Sequence, residues 1–158
     1  MATIAKAAEI IDEYPSLAHF VGGVPFEEVW VAQHALGVTF PESYQDFLTK
    51  YGAGSFGDGP DIYGLGVPDD GLPHVVWATH SLQEQDDWFP ADLVVIQDTG
   101  EGDILCLATS RTSPDYPNEC PVVQWIPEMS FEEQAFEEVH RTFAHFLLRT
   151  VKRAAGLQ

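Results

Sequence analysis

Leu36-Gly37-Val38-Thr39-Phe40-Pro41-Glu42-Ser43-Tyr44-Gln45-Asp46-Phe47-Leu48, followed by Tyr51-Gly52-Ala53-Gly54, is the stretch that decides how this chain is read. Pro41 suits the first turn of a helix, where its missing N–H costs no hydrogen bond, and Gly52 suits the helix end. Between them Tyr44, Phe47, Leu48 and Tyr51 recur at offsets of three and four, so they share one helical face. Three aromatic rings and a leucine on one face read as core. Tyr44, Phe47 and Leu48 are therefore expected to bury against a sheet.

Upstream, Ile4, Ala7, Ala8, Ile11 and Tyr14 keep helical spacing until Pro15. Gly22-Gly23 turns the chain, Pro25 opens a second helix, and Phe26, Val29, Trp30, Gln33 and Leu36 follow before Gly37 stops it. Downstream the punctuation changes. Gly54, Gly57, Gly59 and Pro60 form a loop, Asp61 to Leu65 reads as a short strand, and Pro68-Asp69-Asp70-Gly71 as a turn. His74 to Asp87 is read as a helix because Val75, Ala78 and Leu82 share a face. Leu93–Gln97 and Ile104–Ala108 are strands of a hairpin around Asp98–Asp103, and Val122–Trp125 is a further strand. A final helix is predicted from Ser130, with Glu133 completing a capping box and Phe131, Ala135, Val139, Phe143, Phe146, Leu147 and Val151 as its stripe. The expected fold is α+β: N-terminal helices, a small central sheet, mainly antiparallel or mixed, and a long C-terminal helix packed on it. No linker or repeat divides residues 1–158, so a single domain is expected.

Charge is the strongest compositional signal: 25 acids against seven Lys and Arg, a net −18. Residues 51–140 hold 18 of those acids and one base, Arg111, whereas residues from Arg141 onward carry +4 and no acid. Such a field repels nucleic-acid phosphates and anionic membranes and attracts basic proteins. It also serves solubility alone. The apolar runs are far shorter than a membrane span. Glu9, Asp12 and Glu13 interrupt the apolar start, which argues against a secretory leader, and Cys106 and Cys120 are too few for a disulfide framework. A cytoplasmic protein is expected.

Three blocks together resemble the SUKH superfamily, which includes fungal cell-wall-assembly regulators of the SMI/KNR type. The first is the opening stretch, similar to that family's LG…P…Y…FL…GxG signature. The second is Ile62-Tyr63-Gly64-Leu65. The third runs from Val94-Val95-Ile96 through Gly102-Asp103-Ile104-Leu105-Cys106-Leu107 to Cys120-Pro121-Val122-Val123-Gln124-Trp125. The resemblance covers roughly residues 26–147 and leaves residues 1–21 as an extra N-terminal helix. It departs at Gln33 and Ala108, where the family often has acids, so no role of those carboxylates transfers. The resemblance implies an α+β fold and, as for most bacterial members, an immunity protein that binds and neutralises a polymorphic toxin, often a nuclease. A general interaction or scaffold module with a regulatory role, as in the fungal relatives, is the alternative.

No motif points to catalysis. There is no nucleophile elbow, no phosphate-cradling loop ending in Lys, and no Cys-His pair of recognisable spacing. Asp98, Glu101 and Asp103 lack the remaining ligands of a calcium loop and read as a glycine-rich turn. The six histidines show no metal-ligand spacing; His140 and His145 lie five apart on the predicted last helix, on different faces. Neither cofactor nor metal is expected. Candidate partner-binding residues are the loop acids Asp58, Asp61, Asp69 and Asp70 and the rim of Glu84, Asp86, Asp87 and Trp88. Trp77 and Trp88 stand between two readings, partner anchor or completion of the core. The expected partner is a basic protein, a toxin domain, bound without catalysis.

Overall fold

In the computed structural model, which describes residues 3–157, four helices form where apolar spacing predicts them. They are α1 (Ala5–Glu13), α2 (Phe26–Leu36), α3 (Glu42–Lys50) and α4 (Val75–Gln85). Strands β3 (Leu93–Asp98), β4 (Ile104–Ala108) and β5 (Val122–Trp125) also stand where expected, and there are two further short strands, β1 (Ala18–Phe20) and β2 (Gly54–Phe56). A last strand, β6 (Glu138–His140), precedes the C-terminal helix α5 (Phe143–Ala154). The fold is α+β. One antiparallel sheet has the order β3-β4-β5-β6, and β1 and β2 make a second antiparallel pair.

The core joins these layers through α3 and α5. Tyr44, Phe47 and Leu48 are fully buried, and Tyr44 and Phe47 meet Phe143 of α5 at ring-centroid distances of 4.9 and 5.3 Å. The Tyr44 hydroxyl donates to the Tyr63 carbonyl at 2.7 Å, so even the polar tip of that ring is satisfied inside. α1 buries Ala7, Ala8 and Ile11, and packs on α5. Gly54 lets β1 and β2 close: a Cβ there would lie 2.1 Å from the His19 carbonyl oxygen.

Residues 61–65 do not form the expected strand and make only isolated bridges, at Ile62 and Gly64. Ile62 exchanges backbone hydrogen bonds with Gly54 of β2, whereas the next N–H, that of Tyr63, donates to Ile96 of β3 at 2.7 Å. Ile96 sits at a bulge in the β3–β4 register, which frees its carbonyl for that bond. The segment thus straps the two sheets together, bonding each through one residue, and builds no ladder with either.

The predicted start of the last helix is corrected more sharply. Ser130 and Glu133 do interact, Oγ donating to Oε1 at 3.0 Å, but they close only a single 3-10 turn. The helix begins thirteen residues later, at Phe143, where Thr142 Oγ1 accepts the His145 N–H at 3.2 Å. Two forces overrule the periodicity. Glu133 and Glu137 would repel one turn apart. The open edge of β5 also needs partners, and β6 supplies them: Val122 pairs with His140, and Gln124 N–H donates to the Glu137 carbonyl. Phe131, Ala135 and Val139, expected on the stripe, are exposed; Phe143, Phe146, Leu147 and Val151 are buried. His140 therefore lies on β6 and only His145 on α5.

Candidate functional site

Pro41 occupies the N-cap of α3 and has no polar side chain to cap the helix, so its first N–H groups need acceptors from elsewhere. The loop before β5 brings them. Asn118 offers its carbonyl to Glu42 N–H, and Glu119 takes the Ser43 N–H at 2.9 Å and the Ser43 hydroxyl at 2.6 Å. Burial pushes the Glu119 carboxyl above the usual range, and the Ser43 hydrogen bonds pull it back. This acid is a structural clamp. Gln33 is another: its Oε1 accepts the Phe40 N–H at 2.6 Å, a bond that a carboxylate oxygen would accept equally well.

The exposed acids gather beside α4. A groove of about 480 Å³ runs between α2 and α4, with Ala32, Leu65 and Val76 among its walls and Glu28, Asp69 and Glu84 at its lips. On the other side of α4, a second groove of about 540 Å³ is lined by Tyr63, Leu72, Leu82 and Asp98. Trp77 and Glu84 belong to both, so α4 forms a ridge between two grooves. Three observations describe how the ridge is fixed. Val75, Ala78 and Thr79 are its buried residues, and Thr79 Oγ1 accepts the Val95 N–H of β3 at 3.0 Å. His74 Nδ1 accepts the Trp77 N–H at the start of the helix. Burial lowers the His74 pKa, with the Asp69 charge opposing, so the imidazole stays in the neutral form that can accept.

α2 and the loop before α4 carry large apolar side chains on exposed surface. Phe26 and Trp30 are each 53% exposed, Val31 60% and Leu72 59%. Of the apolar residues at helical spacing on α2, Val29 is buried together with Ala32, whereas Phe26 and Trp30 are exposed. α2 carries apolar side chains on every side, so spacing alone does not distinguish the inner face from the outer. That all-round character is the signal by which Val31 and Trp30 could have been found in the sequence.

Of the eight predicted partner-binding residues, Asp69 and Glu84 meet in the α2–α4 groove. Asp58 lines a different cleft, at the end of α5. Asp61, Asp70, Asp87 and Trp88 are exposed and Asp86 partly so, outside these three cavities. Trp88 rests on Trp125 and Phe131, with both centroids 5.1 Å away, and keeps 39% of its surface exposed. It completes an aromatic cluster, as the core reading has it, and presents an edge to solvent. Trp77 is 38% exposed and stands over the grooves.

The cysteines offer no chemistry. Leu107 faces Val122 in the β4–β5 register, which puts Cys120 about three residues, or roughly 10 Å, along from Cys106, too far for a disulfide. Burial raises both thiols, that of Cys120 to about 12, so neither supplies a thiolate. Among the described residues no three His, Cys, Asp or Glu side chains cluster closely enough to hold a metal ion. No helix among them is long and apolar enough to cross a membrane. What the α4 surface offers is an acid-lipped, apolar-walled relief.

Residues 5–152 match the model of the SMI1-KNR4 cell-wall family, SUKH_5, and the chain belongs to that family. The match takes in α1, which the resemblance over residues 26–147 leaves outside.

Proposed function

We propose that this SMI1-KNR4 family domain is a non-catalytic inhibitor that binds a basic protein, a toxin domain such as a nuclease, through the grooves flanking α4. The carrying observation is the pairing of Glu28, Asp69 and Glu84 with the exposed Trp77 and Val31 around one groove, in a chain of net charge −18. A nuclease needs cationic surface to hold phosphates, and an acidic, apolar counterface covers that surface while repelling nucleic acid itself. Asp86 and Asp87 just beyond α4, with Asp70 in the loop before it, extend the same charge as a steering rim, and Trp88 adds an apolar edge to it. Asp58 and Asp61 stand farther round, and their part is long-range attraction. Such an inhibitor acts in the cytoplasm of the toxin-producing cell, where it meets the toxin before export.

The test is kinetic. A toxin domain, if one is encoded beside this gene, should bind in a pull-down, with association slowing steeply as salt rises, because exposed charges are screened beyond about 8–10 Å near physiological ionic strength. Binding that ignores both salt and charge reversal at Asp69 and Glu84 would place the interface elsewhere. The family's cell-wall description favours a second reading, a regulatory scaffold, and failure to bind any neighbouring toxin would decide for it.

A further inference from the structure

The positive charge of this acidic protein is not spread evenly. Arg149 and Arg153 lie four residues apart on α5, which makes them neighbours on one helix face, and both are exposed. They line a cleft of about 460 Å³, a size typical of small-molecule sites. Across from them stand Gln97 of β3, 5% exposed, and His140 of β6. Phe56, Leu105 and Phe146 supply apolar wall. The wall from residues 56–60 lies close against the helix because Gly57 has no side chain: a Cβ there would come within 3.0 Å of the Ala154 Cβ.

We propose that this cleft binds a small organic anion, a single carboxylate or phosphate group carried on an apolar body. The guanidinium forks of Arg149 and Arg153 take the anionic group, since planar forks match both headgroups in bidentate fashion. The rings and Leu105 take the body. Helix-dipole compensation does not account for Arg149, which lies a full turn before the last turn occupied by Lys152 and Arg153. The positive potential is felt locally: His140 is lowered to about 4, by burial first and then by Arg149, His145 and Arg153. Asp58 and Glu101 line the same cleft and set the limit on charge. They repel polyphosphates and nucleic-acid strands, and leave room for one anionic group. The proposal is independent of partner binding at α4.

The experiment titrates the full-length protein with phenyl phosphate, benzoate and inorganic phosphate at constant ionic strength, followed by backbone amide NMR shifts. Phenyl phosphate or benzoate should saturate, with shifts confined to residues 56–60, 97–101, 140 and 149–154. Whichever binds more tightly identifies the headgroup. Inorganic phosphate, lacking the apolar body, should bind roughly tenfold more weakly. Arg149→Gln and Arg153→Gln should each weaken binding about tenfold with an unchanged thermal melt, and Asp58→Asn should strengthen it. Shifts that stay linear to tens of millimolar, that scatter over the surface, or that survive both arginine substitutions would overturn the proposal. Equal binding of inorganic phosphate would overturn the apolar half of it.

Discussion

α3 and α4 are helices of similar length, nine and eleven residues, yet the fold uses them in opposite ways. α3 turns three large side chains into the core, and its N-terminus is closed by a buried carboxylate from a distant loop. α4 buries only Val75, Ala78 and Thr79 and shows Trp77 and Glu84 to solvent. Acids serve both helices. Glu119 is spent on Ser43 inside, whereas Glu84 meets water between two grooves. A count of acids does not separate these uses; burial and hydrogen-bond partners do.

That contrast breaks first at Phe47. Phe47→Ala should destabilise the protein by about 3–5 kcal/mol, the usual cost of emptying a buried aromatic site, read as a lower denaturant midpoint. A midpoint unchanged within error would show that α3 is not the core helix. Next comes Glu119→Ala, which leaves the Ser43 N–H and hydroxyl without acceptors. It should cost about 1–3 kcal/mol, with Glu119→Gln milder because its amide oxygen can still accept one of the two bonds.

A pH titration sharpens the comparison from the acid side. The His140 pKa falls from 6.5 to about 4 in the folded protein, so the unfolded chain binds the proton more readily. Stability from this group is complete above pH 6.5 and is lost as the pH falls toward 4. After allowance for solvent screening the loss is on the order of 1–2 kcal/mol. His74 and His145, both lowered chiefly by burial, act in the same direction. Glu119, whose pKa is raised, opposes them by favouring the fold as it takes up a proton. Urea melts of the wild type and His140→Gln between pH 7 and 4 should converge in stability difference as His140's contribution is lost. A constant difference would rule out its titration.

The smallest stability effects belong to α4. Trp77→Ala should cost about 1 kcal/mol or less, because the ring is already partly in water, yet it should speed dissociation of the proposed toxin partner more than tenfold. Asp69→Lys with Glu84→Lys should leave the melt within about 0.5 kcal/mol and chiefly slow association. If either α4 variant unfolds the protein while binding by the survivors is normal, the division between an inward α3 and an outward α4 fails.

Much of the fold was legible because its signals are local. Pro41 and Gly52 bracket α3 within the reach of one helix, and the Gly-containing turn between β3 and β4 brings adjacent segments together. The candidate site was legible only in part. Asp69 and Glu84 could be named as loop and rim acids and Trp77 weighed as an anchor, but Glu28 and Val31 join them through the packing of α2 beside α4. Nothing in α2's spacing says that Val29 faces in and Trp30 out.

By itself the sequence determined an acidic α+β domain with α1 to α4 in place, a β3–β4 hairpin, and the aromatic face of α3, because each depends on neighbours a few residues away. Tertiary structure decided where the last helix starts, since β5's free edge drew residues 138–140 into a strand against their helical periodicity. It decided that Glu119 is a clamp and Glu84 a surface charge, and that Arg149 faces Gln97 and His140 across a cleft. The partner groups lie beyond the reach of a local turn, 18 residues for Val122 and His140 and 76 for Ser43 and Glu119, and the energy of meeting them, from hydrogen bonds completed to apolar surface buried, exceeds any local preference written in the segment itself.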